Sequence, residues 1–537
     1  MTDWSFARIW SQIADAVPDR EAIVCGDRRL TYGEFDTRAT RLAEVFAGAG
    51  LRPGDSVALC LVNSPEYLEG FFAAQKAGCS PVNVNYRYVD AELAYLLADS
   101  GARAVVFHDE FAPTVEEAVK GLDDPPPLLL QVPHDGDGTL ATGALEYEGA
   151  LVDAPTAPVR HEPSGDDVIL LYTGGTTGMP KGVMWRSDDL YVSLWQVGRG
   201  TPEPVNPVPG AHQGKRAVTT LPACPLMHGT GLFFALTTLS GGGTVVLVDR
   251  PRLDADLVWE TVERERVGNV VIVGDAFARP LLASLDANPD RWDLSSLKAM
   301  CSSGVMWSPE TKRGLLEHLP GVLLVDSMGA SEGLMARSTA QAGDAEYHAG
   351  RFEQNERVSV ITDDGRHVEA GSGEVGMLAV GGRIPLGYRN DPVKTAATFR
   401  EVDGTRWSIP GDYATVEADG SIRLLGRGSQ CINTGGEKVY PEEVDEVVKL
   451  HPAVFDCVTV GVPHERWGEM VVAVVQFRPG READPADLRR HCHDHLAGYK
   501  CPKEFVVLDT LARSPSGKAD YKLLRRKAAR AVGVEVD

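Results

Sequence analysis

The chain has 537 residues, of which 43% are hydrophobic and 24% charged, and its formal net charge is −23. That length exceeds one ordinary domain, and the composition is that of a soluble globular protein. The acidity excludes a general nucleic-acid binder, which needs a basic footprint. Nine scattered cysteines with no CxxC pair point to reduced thiols in a cytoplasmic protein.

In chain order, the N-terminal MTDWSFARIW lacks the basic flank and apolar core of a signal peptide. Residues 130–165, rich in Pro, Asp and Gly, read as a surface loop. A strand-like run at 168–171 then leads into Tyr172-Thr173-Gly174-Gly175-Thr176-Thr177-Gly178-Met179-Pro180-Lys181-Gly182. Four glycines there expose backbone N–H groups, three threonines add hydroxyls and one lysine adds a cation, which suits phosphate oxygens. Gly-Lys-Ser/Thr is absent, so the segment is not a Walker A loop. A flexible polar turn is the plain alternative, disfavoured by so many donors among the glycines.

Residues 217–248 carry no charged side chain. Pro222, Pro225, His228 and the run Ser240-Gly241-Gly242-Gly243 interrupt them, which predicts a buried helix, a turn and a buried strand in place of a membrane span. Strands are expected at 243–248, 270–273, 297–301 and 322–325, with a helix over 253–267. Such alternation argues for a parallel sheet covered by helices, with ligands beyond the carboxyl ends of its strands. Ser302-Ser303-Gly304 and Gly329-Ala330-Ser331-Glu332-Gly333 are polar turns at such ends. From about Gly426 a Gly-rich stretch introduces helices at 441–450 and 485–496, strands around 455–477 and 505–508, and a basic terminal helix. This reads as a separate α+β domain.

The segment from Tyr172 to Gly182 resembles the signature YTSGTTGxPKGV of the adenylate-forming superfamily, which includes acyl-CoA synthetases, luciferases and peptide-synthetase adenylation domains. The resemblance extends along the chain in matching order: Leu30-Thr31-Tyr32, Met328-Gly329-Ala330-Ser331-Glu332, Gly411-Asp412, Gly426-Arg427 and Pro515-Ser516-Gly517-Lys518. It implies an α/β fold with two domains. Residues 1–428 would form a large domain of parallel-rich sheets flanked by helices, and 429–537 a small mobile α+β domain. The implied activity is attack of a carboxylate on the α-phosphorus of ATP, followed by transfer of the acyl group to coenzyme A. The implied cofactor set is ATP, Mg²⁺ and coenzyme A. The partners are small molecules, with no nucleic acid and no membrane span, and a homodimer is left open.

By that resemblance, Thr173, Gly174, Gly175, Thr176, Thr177 and Lys181 cradle phosphate. Glu332 holds magnesium and Ser331 contacts phosphate. Gly304, Val305 and Met306 line one adenine face, Asp326 accepts from the adenine amino group, and Asp412 with Arg427 binds the ribose hydroxyls. Met328 stands where a Tyr usually packs on adenine, giving a softer thioether contact. Gly174 replaces the usual Ser, and Pro410 the Thr of TGD. Lys518 bridges the substrate carboxylate and the α-phosphate. Ser429 occupies the hinge position, where Asp or Lys is usual. Gly435, Gly436 and Lys438 line the thiol side, and His228 takes the place of an aromatic gate.

The acyl pocket is expected between Trp185, Phe233, Gly274, Phe277 and Met306, a mainly apolar set that favours a bulky apolar acid. The runs Val82-Asn83-Val84-Asn85-Tyr86-Arg87-Tyr88 and Val273-Gly274-Asp275-Ala276-Phe277-Ala278-Arg279-Pro280 resemble actinobacterial fatty-acyl and steroid side-chain acyl-CoA synthetases, and terpenoid acids are a further candidate. A carrier-protein phosphopantetheine is the alternative acceptor. A remote alternative is a serine hydrolase, since Gly329-Ala330-Ser331-Glu332-Gly333 also fits GxSxG, and the remaining class is a non-catalytic binding module, disfavoured because the charged catalytic set is complete. Gly371-Ser372-Gly373-Glu374-Val375-Gly376 fits GxGxxG, but the strand-like 377–380 follows it where a dinucleotide site needs a helix. His491, Cys492, His493 and His495 suggest zinc by proximity, yet no general base or distant third ligand accompanies them.

Overall fold

Short β-branched runs bounded by capped helices build most of the molecule. The helix Ala255–Arg264 begins where the Asp254 carboxylate accepts the Leu257 N–H at 3.1 Å, and it buries Val258, Trp259 and Val262. The strands on either side, Thr244–Leu247 and Asn269–Ile272, are almost wholly buried, as parallel strands covered on both faces must be. The computed structural model describes residues 3–155, 161–173, 179–199, 204, 218–305, 307–344, 351–352, 356–427, 430–434, 437–464, 466–511, 513–514 and 517–534.

The described residues form four sheets. In the first, the strands Leu323–Ala330, Ala299–Ser303, Asn269–Ile272, Thr219–Pro222, Thr244–Leu247 and Glu21–Cys25 run parallel, and an antiparallel strand closes each edge. The second runs parallel from Val168–Thr173 through Ser80–Asn83, Ser56–Cys60, Ala102–His108 and Leu128–Val132 to Ala144–Glu146. Lys181–Arg186 and Gly387–Tyr388 add to it antiparallel. Between them lies an apolar core around Trp10, Phe35, Phe71, Phe72 and Trp185. A third, antiparallel sheet spans 351–427.

The fourth sheet lies wholly after residue 431, around the long hairpin Val454–His464 and Gly468–Phe477. The helices Pro441–Lys449, Pro485–His495 and Tyr521–Ala531 accompany it. A large N-terminal domain of parallel-rich sheets therefore carries a small C-terminal α+β domain.

The expected strands and helices appear with ends shifted by a few residues. The segment 130–165 is a correction. It contains the strand Ala144–Glu146 and the helix Tyr147–Asp153. Tyr147 is fully buried with its hydroxyl 2.7 Å from the Glu69 carboxylate. One aromatic anchor and Leu151 outweigh the turn-rich composition around them. The uncharged stretch folds as read, and among the described residues no helix is long and apolar enough to cross a membrane.

Candidate active site

Several candidate residues lie at or just beyond the ends of strands of the two parallel sheets, Thr173 on one and Gly304, Ser331 and Glu332 on the other. Val168–Thr173 and Lys181–Arg186 are antiparallel partners with Thr173 opposite Lys181. Gly174, Gly175, Thr176 and Thr177 lie outside the described residues. Lys181 Nζ is 2.8 Å from Asp391 Oδ2 and 5.8 Å from the Tyr388 ring centroid. This ammonium and the Lys394 N–H hold the Asp391 carboxyl below the usual carboxylate range. The Tyr388 hydroxyl donates to Glu332 Oε1 at 2.7 Å. One short strand, Gly387–Tyr388, thereby links the loop lysine to the glutamate.

Ser331 and Glu332 form the two-residue turn between Leu323–Ala330 and Gly333–Ala340, with Ala330 opposite Gly333. A nucleophile elbow requires a strand-to-helix turn, so the hydrolase reading of Ser331 fails here. The Trp185 indole N–H donates to the Ser331 carbonyl at 2.8 Å, and Trp185 is fully buried. It braces this turn from inside the core.

Gly304 has φ +86°, a conformation other residues avoid, and the position its Cβ would take is 3.7 Å from Thr230 Oγ1. Val305 packs on the neighbouring apolar core, and Met306 lies outside the described residues. Asp326 and Met328 are buried on the adjacent strand. Asp326 Oδ2 accepts from Lys312 Nζ at 3.1 Å. Burial raises the Asp326 pKa and the lysine opposes that rise. Thus one lobe of the carboxylate expected to meet adenine is already engaged. Asp412 faces Arg427 across an antiparallel ladder, so the pair expected at the ribose is adjacent in register. The side chains of Arg427 and Lys438 are not described, and Ser429, Gly435 and Gly436 lie outside the described residues; Lys438 pairs with Asn433 through the backbone.

His228 immediately precedes the helix Gly229–Ser240, at its N-cap position and without a side-chain capping hydrogen bond, and the helix buries Phe233. Burial, with the positive charge of Lys518 nearby, lowers the imidazole pKa to about 3, so the ring is neutral at physiological pH. Lys518 arrives on a turn in which Gly517 N–H donates to the Ser514 carbonyl and Lys518 N–H to Ser514 Oγ. The Arg513 guanidinium, paired with Asp456 at 2.6 and 2.9 Å, ties the turn to the small domain through the Gly517 carbonyl. At Gly517, φ +75°, a Cβ would sit 2.8 Å from Ala276 Cβ and 3.2 Å from the Val273 carbonyl. The lysine turn is thus seated against the Val273–Gly274–Asp275–Ala276 wall, beside buried Phe277.

Two asparagines were missed as positioning residues. Asn83 accepts the Tyr172 N–H at 2.6 Å and donates to the carbonyls of Tyr172 at 2.9 Å and Met227 at 2.6 Å. Asn63 accepts the Leu226 N–H at 2.7 Å and donates to Pro222 and Cys224. Their signal in the sequence is an amide inside an apolar strand environment. The histidine cluster shows no metal geometry: His491 Nε2 is 2.8 Å from the Val447 carbonyl, and Cys501 Sγ lies 3.6 Å from His493 Nδ1. A different trio, His108, Glu110 and His134, brings its ligand atoms within 4.8 Å. Its imidazoles stack at 4.4 Å and the Val62 N–H occupies His108 Nδ1, so the rings do not converge on a common ion.

A family model described as AMP-binding enzyme matches residues 10–388, and one described as AMP-binding enzyme C-terminal domain matches residues 443–518. The chain belongs to the AMP-binding enzyme family. It is 40% identical to a 3-oxocholest-4-en-26-oate–CoA ligase of Rhodococcus rhodochrous, with 95% of this chain and 93% of that one covered. It is 41% identical to the medium-chain acyl-CoA ligase Mig of Mycobacterium avium, with 98% of each covered. Among solved structures, ATP-bound MatB from Rhodopseudomonas palustris superposes with a TM-score of 0.81 at 26% identity, covering 97% of this chain and 98% of that one.

Proposed function

We propose that the chain is an AMP-forming acid–thiol ligase that adenylates a bulky apolar carboxylic acid with ATP and passes the acyl group to coenzyme A. The observation that carries this reading is the seat of Lys518, beside His228 and against Val273 and Ala276. A cation delivered there by the small domain can bridge two anions that otherwise repel, the acid's carboxylate and the α-phosphate. The carboxylate oxygen attacks the α-phosphorus and pyrophosphate departs. Neutral His228 adds no second charge at this point and serves as a wall. In the second step the thiolate of coenzyme A attacks the acyl carbonyl, AMP departs, and the small domain, beginning near Ser429, turns its Gly435–Lys438 side toward the site.

The donor chemistry at Glu332 fits a magnesium ion. Its carboxylate is oriented by the Tyr388 hydroxyl, and magnesium favours one or two carboxylates completed by phosphate oxygens and water. Bound there, it would neutralise charge on the phosphates. Asp412 and Arg427 would hold the ribose, and Lys181 would leave Asp391 for a phosphate oxygen.

For the acid, buried Phe233 and Phe277 near the gate support an apolar group, as do relatives that act on 3-oxocholest-4-en-26-oate or medium-chain acids. A steroid side-chain acid or a fatty acid is the first choice, and a terpenoid acid the next. ATP–pyrophosphate exchange across a panel of fatty, steroid and polycyclic acids, followed by coenzyme A, tests the reading. Exchange with a bulky apolar acid and a thioester product are expected. Exchange with none of the acids overturns it, and acyl transfer only to a phosphopantetheinyl carrier protein would overturn the acceptor.

A further inference from the structure

The lysine turn touches the large domain at the first turn of the helix Asp275–Ala287, where Gly517 meets Ala276. The same turn makes a second contact with the small domain. Arg279, 8% exposed, places its guanidinium carbon 5.6 Å from the Phe455 ring centroid, and its Nε lies 3.2 Å from Asp275 Oδ2. A third contact comes from the next helix, Pro309–His318. Its Glu310 accepts from Arg478 Nη2 through Oε1, and its Oε2 is 3.7 Å from Arg279. Phe455 and Arg478 lie at the same end of the long hairpin of the small domain, where Arg478 N–H donates to the Ala453 carbonyl.

The two helix starts are fixed to each other. Asp275 Oδ1 accepts both the backbone N–H and the hydroxyl of Ser308, each at 3.0 Å, and Ser308 caps the second helix. Gly274 N–H is anchored on Ser302 Oγ at 2.9 Å. The platform is therefore rigid, while the three contacts to the small domain named above are one ring face, one partly exposed ion pair and one glycine turn. A rotation of the small domain would release all three together.

We propose that this platform seats the small domain in the adenylating pose, with Arg279 and Glu310 as positioning residues that act on Lys518 through Phe455 and Arg478. The inference rests on the proposed ligase reading. Asp275 serves both sides of the platform: one oxygen fixes the helix starts and the other aims Arg279.

The test measures the two half-reactions separately. Glu310→Ala and Arg478→Ala are each expected to slow acyl-AMP formation roughly three- to fivefold, the range of an exposed ion pair. The double variant should be no slower than the worse single variant, because the two residues act as one pair. Phe455→Ala should slow the same step, while thioester formation from supplied acyl-AMP stays unchanged or quickens in all of them. A second measurement joins Glu310→Cys to Arg478→Cys with a short bismaleimide, wild type treated alike as control since eight of nine native cysteines are buried. The joined protein should still form acyl-AMP and lose thioester formation. Additive losses, equal falls in both half-reactions, or undiminished thioester formation in the joined protein overturn the platform. A wild-type protein that adenylates no acid overturns the ligase reading instead.

Discussion

Lys518 and Tyr388 show two ways in which a proposed site residue is encoded. Lys518 is legible because it closes an ordered series of motifs, although a lysine near a terminus carries no signal alone. Lys518→Ala should lower pyrophosphate release by roughly 10²–10³-fold, the scale of one lost electrostatic stabiliser. Thioester formation from supplied acyl-AMP should change far less, and near-normal pyrophosphate release would refute the assignment. Tyr388 is not legible, because its role comes from a tertiary approach of residues far apart in sequence, Lys181, Glu332 and Tyr388 itself. Tyr388→Phe removes one hydrogen bond to a charged group and should slow adenylation about tenfold. A magnesium titration of pyrophosphate release should show a raised metal requirement. An unchanged titration would mean that Glu332 is oriented without Tyr388.

Among elements, the parallel strands are legible as apolar runs, while the antiparallel strands that follow Thr173 and Ala330 in the chain are not. Periodicity finds a strand but not its partner's direction: Lys181–Arg186 and Gly333–Ala340 fold back antiparallel, and only tertiary pairing decides that. The helix Pro441–Lys449 carries a second property invisible in sequence. Burial lifts Glu446 from its ordinary 4.5 to about 7, against Lys449, Arg423 and Lys312 and with Glu443 adding to the rise. A carboxyl whose folded pKa lies above its unfolded value contributes stability that is full below about 4.5 and lost as pH rises through about 7. Urea midpoints should therefore fall between pH 5 and pH 8 in the wild type, and less so in Glu446→Gln. Parallel curves for the two proteins would show that Glu446 does not titrate in this range.

At the scale of the whole molecule, the two-domain plan followed from length and from the change of pattern near Gly426. The antiparallel sheet at 351–427 did not announce itself, because its strands are short and interrupted by exposed Gly and Asp turns. The seat of the small domain was equally hidden, since Arg279, Glu310, Phe455 and Arg478 are unremarkable until brought together.

The Asn83 amide has a thermodynamic meaning. It grips Tyr172, which leads into the proposed phosphate loop, and Met227, which precedes His228, the proposed gate. If one carboxamide sets both backbones, ATP and the acid are heterotropic ligands of each other. Linkage then requires that the factor by which acid tightens ATP equal the factor by which ATP tightens acid. Calorimetric titrations with α,β-methylene ATP, whose α–β bridge cannot be cleaved, should give the same factor in either order of addition. Adding Asn83→Ala should bring that factor toward one, and a factor untouched by the change would place the communication elsewhere.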